Sequence, residues 1–125
     1  MENISYYNFT PHTINVKNDV NGTWVSFVSI GNLRVTQFEQ KQLEESIGSS
    51  IKVLSRPLFK ELSGDIGDAK NCKKIIVSMV VGEFLAEHKD ILPNCAVYGT
   101  DSSPIGAIRD DNGAIIGVKQ LVRYR

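Results

Sequence analysis

A chain of 125 residues with 42% apolar and 22% charged side chains reads as one globular domain, 1–125, and excludes a disordered tail or an enzyme with two independent cores. Fourteen Lys and Arg balance fourteen Asp and Glu, so no global positive field draws the chain to a nucleic-acid polymer or an acidic membrane, and any anion site must be a local patch. Cys72, Cys95 and two histidines are neither a disulfide framework nor a zinc set and suit a reducing cytosol, while neither a basic-then-apolar leader nor a stretch of 18 apolar residues is present.

Taken in chain order, Ile14 and Val16 alternate with Thr13, Asn15 and Lys17, and Asn21-Gly22 offers a turn before residues 23–28, which predicts a hairpin. Gly31-Asn32 breaks the pattern. A third strand is expected over 33–38, with Arg34, Thr36 and Phe38 on one face. Residues 39–50 are polar and read equally as a loop or a short helical turn ending near Gly48. Residues 51–54 predict a strand that Pro57 closes, and the glycines and aspartates of 61–71 suggest an exposed connection. Residues 73–77 predict a further strand. Ser78 then caps a helix whose positions Val80, Val81, Phe84, Leu85 and His88 follow helical spacing.

Gly82 is the unusual member of that helix. Glycine there costs about 1 kcal/mol relative to alanine, so its presence indicates either close approach by another helix or a ligand, or a tolerated weak position. Pro93 ends the helical segment and an extended run begins at Cys95. A polar loop over 99–104 precedes residues 105–108, and Asp111-Asn112-Gly113 predicts a hairpin turn before 114–118 and 120–124. The expected fold is α+β, with an N-terminal antiparallel sheet, a central helical element and a C-terminal β-hairpin.

No catalytic constellation emerges from these residue types. Cys72 lacks a base unless the fold brings His88 beside it, and His12 and His88 without further ligands make no metal site. Glu83 and Glu87 share one helical face, the ordinary pattern of a solvated surface. Gly99-Thr100-Asp101-Ser102-Ser103 lacks the lysine and glycine spacing of a phosphate loop. Arginine forks are better matched to phosphate oxygens. Arg109 precedes the 111–113 turn and Arg123 lies near the end of the expected returning strand, so one small sheet would organise both; Arg56 is a weaker third candidate. Phe84 is either core or, at a dimer seam, a surface for an adenine ring, and Asn94 can donate to and accept from a base edge.

Four segments, Phe9-Thr-Pro-His-Thr13, Ile76-Val-Ser-Met-Val-Val-Gly-Glu83, Val97-Tyr-Gly-Thr-Asp-Ser-Ser-Pro104 and Ala107-Ile-Arg-Asp-Asp-Asn-Gly-Ala-Ile-Ile-Gly-Val118, followed by Leu121-Val-Arg-Tyr124, resemble the phage Thoeris anti-defence sponge family. The resemblance spans nearly the whole chain, with residues 41–71 adding little. It implies a non-enzymatic protein, without cofactor, that sequesters the glycocyclic ADP-ribose signal of a bacterial defence TIR protein in the cytoplasm of an infected or prophage-carrying host. It further implies homodimers with two shared pockets, in some members trimers of dimers. On this sequence the implied ligand contacts are Phe84 for base stacking, Asn94 as a polar contact, and Arg109 and Arg123 for the pyrophosphate. Some members also hold cyclic di- or trinucleotides at separate sites, for which Arg34 is the candidate. An enzyme cleaving a cyclic nucleotide signal, and a phage structural or protein-inhibitory module, are the alternative readings.

Overall fold

The computed structural model describes residues 5–48 and 51–125. Among them the chain runs through β1 (Tyr6–Asn8), β2 (Ile14–Lys17), β3 (Trp24–Phe27), β4 (Leu33–Glu39), β5 (Gln42–Ile47), β6 (Ile51–Leu54), β7 (Leu58–Gly64), α1 (Ile66–Ala69), β8 (Lys74–Ile76), α2 (Met79–Glu87), β9 (Ala96–Thr100), β10 (Ala107–Arg109), β11 (Ile115–Val118) and β12 (Leu121–Arg123). The strands form four open sheets, ordered β1-β8-β9-β12, β10-β11-β2-β3, β4-β7 and β5-β6. No described helix is long and apolar enough to cross a membrane.

This is a mixed α+β fold, but the expected layout of an N-terminal antiparallel sheet, a central helical element and a C-terminal hairpin is overturned. The β2–β3 hairpin forms, yet β1 pairs in parallel with β8, and β4 pairs with the distant β7. The 111–113 turn does join β10 and β11, with Gly113 at φ 83°. That hairpin adds to β2 through the parallel neighbours Val118 and Val16 rather than standing alone. The chain then crosses to the other four-stranded sheet, where β12 pairs with β9. Arg109 and Arg123 therefore sit in different sheets. Short strands carry too little alternation to name a partner far along the chain, so a local reading defaults to hairpins.

Two local expectations also change. Residues 42–47, left open between loop and helical turn, form β5, and the 61–71 connection contains the end of β7 and all of α1, with Leu62 and Ala69 buried. The end of the polar segment at residues 49–50 and the facing of the Phe38 side chain lie outside the described residues.

The core gathers Phe9, Leu33, Leu62, Ile75, Val77, Val81, Phe84, Leu85 and Val97. Ser78 starts α2 as expected, its hydroxyl accepting from the Val81 N–H at 3.4 Å. Its buried stripe of Val81, Gly82, Phe84 and Leu85 faces the sheet side formed by Ile75, Val97 and Gly99. Burying such a stripe stabilises the helix far more than its intrinsic propensity does. Asn8, also buried, ties β1 to the neighbouring hairpin. Its Nδ2 donates to the carbonyls of His12 and Phe27 at 2.7 and 2.8 Å, while Oδ1 accepts from the N–H and hydroxyl of Thr10.

Tyr124, just after β12, explains the helix glycine. A Cβ on Gly82 would lie 2.4 Å from Cδ2 of Tyr124, and one on Gly99 would lie 2.6 Å from its Cε2. The close approach is that of an aromatic ring from the same chain, wedged between helix and sheet. Gly82→Ala is expected to destabilise the protein by about 1–3 kcal/mol through overpacking. Gly67→Ala in α1, where nothing lies within 4 Å of the added carbon, is expected to be neutral or stabilising by up to about 1 kcal/mol. Urea denaturation of both variants checks this; equal stabilities would contradict the wedge.

Candidate functional site

Helix α2 ends at Glu87, and His88 closes it with φ −121° and ψ 71°, its N–H returning to the carbonyls of Phe84 and Leu85. The last carbonyls of any helix need donors from outside, and they form the negative end of its dipole. Arg125 supplies donors to one of these, Leu85, to the closing residue His88 and to the loop beyond. Its Nη1 donates to the carbonyls of Leu85, His88 and Ile91 at 3.0, 3.1 and 2.8 Å, and its Nη2 to those of Leu92 and Cys95. Burial pushes the guanidinium pKa down from its ordinary value, opposed by Cys95 and Asp90. The group is so strongly basic that it keeps its charge.

The segment gathered around this fork includes Leu92, buried and at φ 50°. A leucine in the left-handed region costs on the order of 1 kcal/mol, and the bond from Arg125 to its carbonyl holds it there. Pro93 and Asn94 are thereby presented at the surface. They face a cleft of about 400 Å³ lined also by Lys73, Lys89, Arg123 and Arg125, with Cys95 and Ala96 at its base. Four cationic side chains and a carboxamide line it, and no Asp or Glu side chain does. Arg123 and Tyr98 are register partners on β12 and β9, and the guanidinium carbon lies 5.7 Å from the Tyr98 ring centre.

A second cleft, of about 430 Å³, opens on the other side of α2 between Arg56, Pro57, Leu58 and Phe59 and the helix residues Val80, Glu83, Phe84, Glu87 and His88. Phe84 is 4% exposed and belongs to the core, its ring stacked on that of His88 at 4.1 Å. The exposed carboxylates of Glu83 and Glu87 line this cleft, so it repels anions that the first attracts.

The structure thus divides the sequence candidates. Asn94 and Arg123 meet in the cationic cleft, and Phe84 and Arg56 share the second. Arg109 is exposed on β10, where its Nη1 donates to the Gly113 carbonyl at 2.6 Å, and it lines neither. Arg34, exposed on β4, borders a separate groove with Pro11 and Ser78. Cys72 donates to the Asp68 carbonyl and His88 Nδ1 lies against the Phe84 carbonyl, so the two are not paired. Burial pushes the pKa of both thiols up from the ordinary value. Among the described residues no group of three or more His, Cys, Asp or Glu is placed to hold a metal ion. Sequence reasoning missed Lys73 and Lys89 and the capping role of Arg125. The lack of acidic residues beyond Asp111 was the one available signal, and it pointed at charge rather than at a cap.

Comparison of the chain with family models, with curated proteins and with solved structures finds no match.

Removing the cap tests how the cationic cleft is built. Arg125→Met is expected to lower stability by on the order of 3 kcal/mol, because buried carbonyls lose charged donors. Arg125→Lys is expected to recover only part of that, since one ammonium cannot serve carbonyls on both sides of the fork. Chemical denaturation with linear extrapolation measures both, and an unchanged midpoint in Arg125→Met would contradict the assignment.

Proposed function

We propose that this protein binds the glycocyclic ADP-ribose signal of a TIR defence system and holds it without turnover, so that the downstream effector is not activated. The observation that carries the reading is the cleft that Lys73, Lys89, Arg123 and Arg125 line without an Asp or Glu side chain, next to the Asn94 amide. A pyrophosphate brings two negative charges that such a cleft offsets; the Arg123 guanidinium offers it directed donors, while Arg125, committed to backbone carbonyls, contributes its charge. Asn94 supplies both a donor and an acceptor for a base or ribose edge. The motif resemblance of residues 9–13, 76–83, 97–104, 107–118 and 121–124 supports glycocyclic ADP-ribose as the ligand.

In this reading the protein acts as a homodimer. Arg109, which lies outside the cleft of its own chain, contributes to the cleft of a second copy, and a symmetric pair makes two equivalent pockets from one set of residues.

Calorimetric titration with glycocyclic ADP-ribose tests the proposal. Arg123→Ala is expected to weaken binding about 10- to 100-fold, corresponding to about 1.4–2.8 kcal/mol, while circular dichroism shows the fold retained. Ligand released by heat should be chemically intact. Unchanged affinity in folded Arg123→Ala, absence of binding by the wild-type protein, or recovery of altered ligand at catalytic turnover would each reject it.

A further inference from the structure

Arg123 is one end of a row of cations and rings on the face of the first sheet turned away from α2. Strand alternation and register put Tyr6, Lys74, Tyr98 and Arg123 on that face: Tyr6 pairs with Lys74 across β1 and β8, and Tyr98 with Arg123 across β9 and β12. The two tyrosine rings meet edge to face with centres 5.0 Å apart. Lys74 Nζ lies 4.6 Å from the Tyr6 ring centre and donates to its hydroxyl at 3.3 Å. Ala96, the register partner of Lys74 on β9, lines the cationic cleft together with Arg123, so the row runs alongside the cleft and shares Arg123 with it, while Lys74 lies beyond its lining.

These contacts differ from ion pairs in one respect that matters for a ligand. Among the described residues the salt bridge is that of Lys60 with Glu39, and neither Lys74 nor Arg123 is neutralised by a carboxylate. A ring beneath a cation restricts its rotamers while leaving its charge and most of its N–H donors available, which lowers the ordering cost when an anion arrives. Two such groups sit over adjacent rings.

We propose that Lys74 is a second phosphate contact of the cleft and that Tyr6 and Tyr98 are positioning residues, so that the site selects a diphosphate bridging Arg123 and Lys74 over a single phosphate group. The inference extends the site proposed above and rests on that reading for its biological ligand. Its chemistry is tested with inorganic ions.

The experiment is calorimetric titration of the full chain with inorganic pyrophosphate and with orthophosphate, each variant first checked for folding by circular dichroism. Lys74→Ala is expected to weaken pyrophosphate binding about 10-fold and orthophosphate binding less than about 3-fold. Tyr98→Leu is expected to follow Lys74→Ala for pyrophosphate, whereas Tyr98→Phe, which keeps the ring, and Lys52→Ala on exposed β6 retain wild-type affinity. Wild-type pyrophosphate affinity in Lys74→Ala would overturn the inference, as would equal wild-type affinity for the two ions or no pyrophosphate binding at millimolar concentration. Lys74-dependent pyrophosphate binding without binding of glycocyclic ADP-ribose supports the inference and rejects the proposed function. Binding of glycocyclic ADP-ribose with pyrophosphate affinity indifferent to Lys74 does the reverse.

Discussion

The guanidinium of Arg125 at the end of α2 is the contact on which the candidate site depends. A nine-residue helix has few internal hydrogen bonds, and its terminal carbonyls face a loop that must turn back towards β9. One planar fork donates to five of the carbonyls between Leu85 and Cys95. It answers the helix dipole with a positive charge and holds Leu92 in a conformation that leucine does not favour. The same charge forms part of the wall of the cationic cleft, so the device that closes the helix also sets the electrostatic sign of the surface beside it.

Tyr124 acts one residue earlier on the same assembly. Its ring fills the space left by two glycines, Gly82 on the helix and Gly99 on the sheet, and so fixes how closely α2 approaches β9. Two consecutive residues thus set the spacing of helix and sheet and the end of the helix. The arrangement links packing to the cleft: the segment after the helix carries Lys89 and Asn94, and β12 carries Arg123. On the other side of α2, Glu83 and Glu87 give the neighbouring cleft the opposite character.

Much of the local structure was legible in the sequence. The capping serine, the apolar stripe of α2, the strand around Ile75 and the Asp111-Asn112-Gly113 turn each follow from side-chain chemistry within a few residues. The pairing of strands was not legible. β1 has three residues and β4 finds its partner in β7, so nothing in their alternation distinguishes a distant neighbour from an adjacent one. The same limit decided the site. Asn94 and Arg123 come together because β12 crosses to β9 after its hairpin-like approach, whereas Arg109 stays with β10. The glycine in α2 left open a close approach by a helix or ligand or a tolerated weak position; what approaches is the Tyr124 ring, which the sequence did not single out. Arg125 offered only a positive charge, since a helix cap supplied from 40 residues away leaves no local pattern.

The central claim is that the cationic cleft beside the α2 terminus is where a phosphate-bearing nucleotide is held. The most direct measurement is a heteronuclear NMR titration of the isotopically labelled protein with glycocyclic ADP-ribose, following backbone amides and arginine side chains. The account predicts that the largest shift changes fall on Lys73, Lys74, Lys89, Asn94 and Arg123, with the ligand spectrum unchanged in covalent structure throughout. Shift changes centred instead on Arg56–Phe59 and Glu83–His88, or none at saturating ligand, would contradict it.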